Sequence, residues 1–296
     1  MERLPKLVSF RDAPVAEPSD IPIYMLSCEA ARSVKMVLTG EGSDEILGGY
    51  PKHIVERFAQ GYQVLPGYVR HRLIEPLARA LPYDFRRIKT AVTNLNIEDW
   101  RERYVRWFGA LNRSERDQLS VLRLNGTPVG DAPPFDADPQ SSPLRRILYY
   151  DQTSWLPDNL LERADRMTMA ASIEARVPFL DHELAAFVST LPDRYRVRGR
   201  TTKWILRAAA RNLLPERILS RPKVGFRVPV GEWFRGPMRD FLASHLQGAA
   251  SMTRAYYEPR VLDGILAEHW SGRQNSEKLL WSLLNLEIWH RHYVQA

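Results

Sequence analysis

Cysteine is nearly absent from this sequence of 296 residues, in which Cys28 stands alone. A single cysteine excludes an internal disulfide and any metal site built from several cysteines. Cys28 lies in the apolar stretch 23–31, for which we predict a helix. We therefore interpret it as a buried structural thiol, with a nucleophilic role as the less favoured alternative.

Long apolar runs are absent as well. No stretch approaches the roughly 18 to 20 consecutive apolar residues that a membrane-spanning helix requires, and the first six residues, M-E-R-L-P-K, do not form the apolar segment of a signal peptide. We therefore expect a cytoplasmic protein that has no membrane partner.

Acidic residues are fewer than basic ones, and the formal net charge is +7 with a pI near 9.6. Such a balance suits an anionic partner such as a nucleotide, although it is also common on ordinary protein surfaces. The arginines are spread along the chain and do not form a basic tract with interleaved aromatic residues. We therefore expect no nucleic-acid partner.

Strand patterns are few and helical patterns dominate. Apolar residues recur at helical spacing in residues 64–80, 97–108 and 276–292, whereas residues 125–143 are turn-forming throughout. Two further helices are predicted at 144–156 and 157–171, and they are expected to meet at Pro157. Asp181 is expected to cap the helix that follows it.

The most informative segment is 35–50. Residues 36–38 form a short apolar run that predicts a buried strand, preceded by a helix at about 22–32 and followed by a glycine-bearing turn. Three carboxylates, Glu41, Asp44 and Glu45, crowd the position where the next helix should begin.

A strand, a glycine-bearing turn and a helix N-terminus together suit an anionic ligand, because free backbone N–H groups point outward there. Carboxylates are poor neighbours for phosphate unless a cation lies between them, and Mg²⁺ prefers one or two carboxylates plus phosphate oxygens. The turn therefore suggests a site for a Mg²⁺–nucleotide complex. An acidic N-cap on an ordinary α/β turn explains the same residues.

A second charged group follows Pro157. Arg163 and Arg166 lie three residues apart on one side of a predicted helix, and Glu174 and Arg176 share one face of an extended segment. These residues suit an anionic ligand, but a surface salt-bridge network of small energetic value explains them as well.

A third group is the basic loop 221–226, R-P-K-V-G-F. Lys223 stands there between a proline and a glycine, and a lysine held on such a loop can act as a point charge on a phosphate. A solvated loop without a ligand is the alternative.

Taken together and in this order, the segments resemble the asparagine synthetase family. T-G-E-G-S-D-E-I-L-G-G-Y at 39–50 is similar to the family's S/T-G-E/D-G-x-D-E-x-x-G-G-Y motif, and 165–181 resembles its D-R-x-S/T-M-A-x-S-x-E-x-R-x-P-F-L-D block. Shorter matches lie at 11–19, 203–207, 214–215 and 221–226. The resemblance extends from about residue 4 to about residue 240.

The resemblance implies an enzyme that makes an amide in two steps: ATP adenylates a carboxylate, and ammonia from glutamine then displaces AMP. The implied fold is an α/β nucleotide-binding fold of the ATP-pyrophosphatase type, of which this mostly helical chain retains a remnant of the parallel sheet. We expect one such domain over residues 1–296, with a helical insert at about 57–140.

The resemblance also implies roles for single residues. Thr39 and Gly40 would line the ATP site, and Glu41 would support adenylation and act as a base toward ammonia. Asp44 would bind Mg²⁺, and Lys223 would neutralise the departing pyrophosphate. Aspartate is the expected carboxylate substrate.

Two parts of the family pattern are missing from this sequence. The family's glutaminase half carries an N-terminal cysteine nucleophile, whereas Glu2 follows Met1 here. The S-G-G-x-D-S loop that holds pyrophosphate is also absent, so we expect the first strands of the sheet to be missing and an apolar sheet edge to be uncovered.

Two hypotheses follow. In the first, the chain is the C-terminal part of an asparagine-synthetase-type ligase and acts with a partner that supplies the glutaminase and the pyrophosphate loop. In the second, it is a non-catalytic domain that binds nucleotide weakly or serves as a scaffold.

Overall fold

The computed structural model describes residues 3–14, 17–81, 85–111, 113–121, 138, 140–221 and 228–294. Most of these residues are helical, and within these ranges the named strands are two short ones that form one parallel sheet. No helix in the described ranges is long and apolar enough to cross a membrane.

The N-terminal region begins with a helix. Residues 7–10 lie in this helix, which packs on the C-terminal helix. Pro22 occupies the first turn of the second helix, where its missing N–H costs nothing. The elements in order are α1 (Leu4–Arg11), α2 (Asp20–Ala30), β1 (Met36–Leu38), α3 (Ser43–Leu47) and α4 (Pro51–Glu56).

The stretch predicted as a helical insert is mostly helical in its described part. A π-helical segment, Arg70–Ile74, joins two of its helices into the helix expected near 64–80. Most of the predicted loop at 125–143 lies outside the described residues. The helices are α5 (Ala59–Gln63), α6 (Gly67–Val69), α7 (Glu75–Ala80), α8 (Arg86–Leu95), α9 (Trp100–Phe108) and α10 (Arg113–Leu119).

The prediction that two helices meet at Pro157 is wrong. Helix α11 (Pro143–Tyr150) continues through a π-helical segment, Asp151–Leu161, into α12 (Glu162–Met169) without a break. The wider π turn changes which carbonyl faces the proline ring, so the chain accommodates a residue that an α-helix interior excludes.

The two strands pair as a parallel sheet. Strand β2 (Glu174–Arg176) lies beside β1, with Met36 opposite Glu174 and Leu38 opposite Arg176. The prediction that β1 is buried is wrong: Met36 is 50% and Leu38 70% exposed. Both side chains point to the same face, because side chains alternate along a strand, and no described element covers that face.

The described residues after β2 form mostly helices, joined by loops and 3₁₀ turns. Asp181 caps the first of these helices as predicted, accepting hydrogen bonds from the backbone N–H groups of Glu183 and Leu184. The helices are α13 (His182–Thr190), α14 (Asp193–Arg196), α15 (Trp204–Ala209), α16 (Glu216–Leu219), α17 (Val230–Arg235), α18 (Arg239–Leu246), α19 (Pro259–Trp270) and α20 (Glu277–Tyr293).

Separate apolar cores hold these helices. The largest joins α17–α20 to α1 around Phe234 and Trp281, which are almost completely buried. A smaller core fixes α3 in place, because Ile46 and Leu47 pack against Val188 of α13. The short turn helix is therefore anchored by its apolar side, which leaves its charged residues free to form the site described below.

We expect Leu38→Thr to change the free energy of unfolding by less than about 0.5 kcal/mol, because a substitution at an exposed position removes little packing. Ile173→Ala, just before β2 and completely buried, is the matched comparison and should cost about 2–5 kcal/mol. Urea denaturation measures both. A loss above about 1.5 kcal/mol for Leu38→Thr, which is typical of a buried site, would mean that the chain itself covers this strand.

Candidate active site

The turn between β1 and α3 has a backbone that glycine alone accommodates well. Thr39 extends the parallel ladder, since its N–H donates to the carbonyl of Arg176 at 2.8 Å. Gly42 has a φ of +85°, and a side chain there would collide with Leu180. This tight turn places the charged residues of α3 directly behind the end of the strand.

Thr39 and Gly40 lie at the open end of the turn. The Thr39 hydroxyl is buried and has no hydrogen-bond partner among the described residues. A side chain built at Gly40 would meet open space. A buried hydroxyl beside open space suits a ligand that completes its hydrogen bonding.

Glu41 faces a cation that is largely shielded from solvent. Its carboxylate lies 3.9 Å from the guanidinium of Arg163, whose side chain is 11% exposed. The surface-network interpretation is therefore wrong for Arg163. It is correct for Glu174 and Arg176, which form a 2.7 Å ion pair with both side chains more than half exposed.

Asp44 is engaged by a lysine that the sequence analysis did not single out. Lys203 Nζ lies 2.8 Å from Asp44 Oδ1 and 2.8 Å from Ser43 Oγ. Lys203 adopts a φ of +50° immediately before α15, a conformation that few non-glycine residues adopt. The lysine thus bridges α15 and the turn. Its position in the matched segment 203–207 is the sequence feature that could have identified it as a site residue.

The paired glycines of the motif make this contact feasible. Gly48 ends α3 with a φ of +73°. A side chain on Gly49 would collide with the Asp44 carboxylate and the Lys203 side chain. Gly49 therefore allows close packing around the ion pair, and Gly48 allows close packing against Val197, roles that the motif alone did not reveal.

The donor set suits a Mg²⁺ ion that arrives with a nucleotide, and does not suit a resident metal ion. No group of three or more histidine, cysteine or acidic side chains that could hold a metal exists among the described residues. Glu41 and Asp44 already face cations, so the turn offers too few oxygen atoms to coordinate a metal ion by protein ligands alone. Mg²⁺ that retains water and phosphate ligands requires only one or two carboxylates.

A buried network lies behind Arg163. Arg11, which is 1% exposed, contacts Asp20 at 2.9 Å and Glu162 at 2.7 Å. Burial raises the pKa of the Asp20 carboxyl to about 7, although Arg11 and Arg163 oppose this rise. The network ties the start of the matched segment 11–19 to α12, next to the residue that faces Glu41.

A second buried network supports the other side of the turn. His53 Nδ1 accepts from the backbone N–H of Tyr50 at 3.2 Å, and His53 Nε2 lies 2.8 Å from Asp151. Lys52 contacts the same carboxylate at 2.6 Å, and burial lowers the pKa of its ammonium to about 8. Tyr50 in turn donates its hydroxyl hydrogen to the buried Glu45 carboxylate.

Lys223 lies outside the described residues, so its predicted contact with phosphate stays a prediction. The last described residue before it, Arg221, lines a cavity of about 340 Å³ together with Gly49, Arg200 and Arg207. The start of the basic loop is therefore close to the acidic turn.

Comparison with known proteins supports the family resemblance that the motifs indicate. The profile of the asparagine synthase family matches residues 1–291. The chain belongs to this family. The sequence is 30% identical over 292 residues to asparagine synthetase [glutamine-hydrolyzing] 1 of Bacillus subtilis, and 32% identical over 304 residues to a putative asparagine synthetase of Mycobacterium bovis. A bovine asparagine synthetase is 34% identical over 156 residues, or 47% of this chain and 26% of its own length.

The coverage is unequal between the chain and its relatives. The alignments include 98% and 99% of this chain, but only 45% and 44% of the bacterial relatives. The family member described here thus spans less than half the length of these proteins, as expected for a C-terminal portion.

We expect Gly49→Ala to destabilise the protein by about 1–3 kcal/mol, because the added methyl group overpacks the contact between Asp44 and Lys203. Gly61→Ala is the control, since a side chain there meets no atom within 4 Å and alanine favours the helix. Urea denaturation measures both. An equally stable Gly49→Ala variant would contradict the close packing of the glycine pair.

We expect the His53 ring to stay neutral, with its proton on Nε2, at pH values where an ordinary histidine is protonated. Burial lowers the His53 pKa, against the opposing effect of Asp151. The unfolded chain then binds the extra proton, so the free energy of unfolding should fall as pH decreases below about 6.5. Nitrogen-15 NMR of the ring reports the tautomer. A protonated ring at pH 6.5, or a proton on Nδ1, would contradict the network.

Proposed function

We propose that this chain forms the ATP-dependent, amide-forming part of an asparagine-synthetase-type ligase. A carboxylate, with aspartate as the expected substrate, would be adenylated by ATP, and ammonia would then displace AMP. The observation that carries the proposal is the turn at 39–44, where a carboxylate, a buried hydroxyl and a lysine gather beside open space. The parallel pair β1–β2 would belong to an α/β nucleotide-binding sheet.

In this proposal Thr39 and Gly40 line the ATP site. The Thr39 hydroxyl would donate to or accept from the nucleotide, which satisfies a buried polar group. Glu41 would act as a base toward the incoming ammonia. Arg163 would hold the Glu41 carboxylate in place, since its side chain is only 11% exposed and it lies on helix α12.

Positive charge at the site would stabilise the phosphates. Mg²⁺ bound with the nucleotide would be held by Asp44 and would supply charge that polarises the phosphate oxygens. Lys203, which lies against Asp44, and Lys223 on the basic loop would contribute further positive charge as pyrophosphate departs.

The chain would work with further protein that supplies a glutaminase and a pyrophosphate-binding loop. The bacterial relatives named above are about twice as long as the matched region. The exposed apolar side chains of β1, Met36 and Leu38, suit a face that another segment or chain covers, because adjacent exposed apolar residues favour association. These two observations support the partner, and they also agree with the expected truncation.

The alternative is a non-catalytic domain that binds nucleotide weakly or acts as a scaffold. The ion pair between Asp44 and Lys203 favours it, because this contact satisfies the carboxylate without any metal. The two proposals differ in whether Mg²⁺ and ATP can compete with Lys203 for Asp44.

We expect the purified chain to bind ATP only in the presence of Mg²⁺, and Asp44→Asn to weaken this binding at least about tenfold, or about 1.4 kcal/mol. The neutral amide is a poor ligand for Mg²⁺, which explains the direction. Isothermal titration calorimetry measures the affinity. Asp240→Asn, an exposed change in α18, is the matched control and should bind like the wild type.

Two outcomes would count against the proposal. Equal binding by the Asp44→Asn variant in Mg²⁺ would refute the metal role of Asp44. No binding by a well-folded wild-type chain would favour the scaffold. An ATP–pyrophosphate exchange assay, with the first half of the Bacillus subtilis relative added, would then decide whether the chain lacks activity only because the glutaminase and the pyrophosphate-binding loop are missing.

A further inference from the structure

A second, basic cavity lies apart from the acidic turn. It has a volume of about 270 Å³ and is bounded by α11, by α13 and by Ile46 of α3. None of the residues from Thr39 to Asp44 lines it. The arginines Arg145, Arg146 and Arg196 do, which makes the cavity strongly positive.

Arg146 is the unusual member of this group. The residue is only 7% exposed, and its Nε atom is buried without a hydrogen-bond partner. In the described part of the chain, its guanidinium forms no ion pair with a carboxylate. In that part of the chain, its guanidinium makes a cation–π contact with the ring of Trp100, 5.1 Å from the ring centre.

A buried charge without a counter-ion is costly. A cation–π contact with tryptophan recovers only about 0.5–2 kcal/mol of such a cost. Arginine side chains are consequently found buried mainly where a carboxylate or phosphate meets them. Among the residues that the structure describes, Arg146 has no such negatively charged partner.

The neighbouring arginines do not supply that partner and add to the positive charge. Arg196 donates to the carbonyls of Val188 and Ser189, which are neutral groups. Repulsion from Arg145 adds to the effect of burial in lowering the Arg196 pKa. Arg145 itself lies 3.7 Å from Asp193, and the exposed Asp138 is the carboxylate that lines the cavity.

We propose that this cavity binds a small dianion with carboxylate or phosphate oxygens, and that Arg146 anchors it. Guanidinium groups recognise both kinds of oxyanion through paired N–H donors. The volume suits inorganic phosphate or a short dicarboxylate with a few waters and is small for a nucleotide, since sites for larger ligands span about 300–1,000 Å³. The proposal does not depend on nucleotide binding at the acidic turn.

Calorimetric titration with inorganic phosphate, and separately with succinate, tests the proposal and distinguishes the two sources of oxyanion. We expect saturable binding of at least one of them at low ionic strength, with a stoichiometry of one. Arg146→Gln should weaken it at least about tenfold, because charge-assisted hydrogen bonds are lost. Arg32→Gln, at an exposed arginine, is the control and should retain it.

A second variant guards against a folding defect in Arg146→Gln. Ala185 is a partly exposed residue of α13 that lines the cavity. Ala185→Glu would place a carboxylate beside the arginines without removing any of them, and should also weaken binding at least about tenfold through repulsion of the dianion.

Three outcomes would overturn the proposal. The first is no saturable binding of phosphate or succinate by the folded wild type. The second is wild-type affinity in both Arg146→Gln and Ala185→Glu. The third is loss of binding in Lys203→Met, which would assign the anion to the acidic turn instead.

Discussion

The ion pair between Asp44 and Lys203 is the contact on which the arrangement of the site depends. It joins the turn after β1 to the start of α15, two parts of the chain that are 159 residues apart. Gly49 must lack a side chain, and Lys203 must adopt a positive φ, for the two charges to meet. Since neither charge is fully exposed, the interaction is stronger than a typical surface salt bridge. The local backbone of both segments therefore follows from one electrostatic requirement.

The sequence predicts those features that arise from local pattern. The strand at 36–38, the cap at Asp181 and the last helix depend on neighbouring residues, and the structure contains all of them. The resemblance of whole motifs was equally informative, because it fixes the order of segments that are distant in space. The scarcity of strands followed from the same local patterns.

Features that depend on distant contacts could not be predicted. The burial of β1 requires another layer, and no local pattern reveals whether that layer exists. Pro157 predicts a helix break by the usual rule, but π turns override it through backbone geometry that the sequence does not encode visibly. The sequence suggested that Arg163 is a surface residue, because only tertiary packing shields its side chain from solvent and places it near Glu41. Lys203 carried no local signal beyond its matched segment.

The two charged sites differ in a way that bears on ligand binding. At the turn, Glu41 and Asp44 each face a basic side chain of the protein, so an incoming nucleotide and its metal must compete with internal partners. At the basic cavity, Arg146 is buried and has no carboxylate partner among the described residues, so an anion there would not compete with a carboxylate from that part of the chain. Binding of a small anion should therefore require less rearrangement than binding of ATP. The excess of positive charge in the chain is consistent with both sites, because each one would take up an anion from solution.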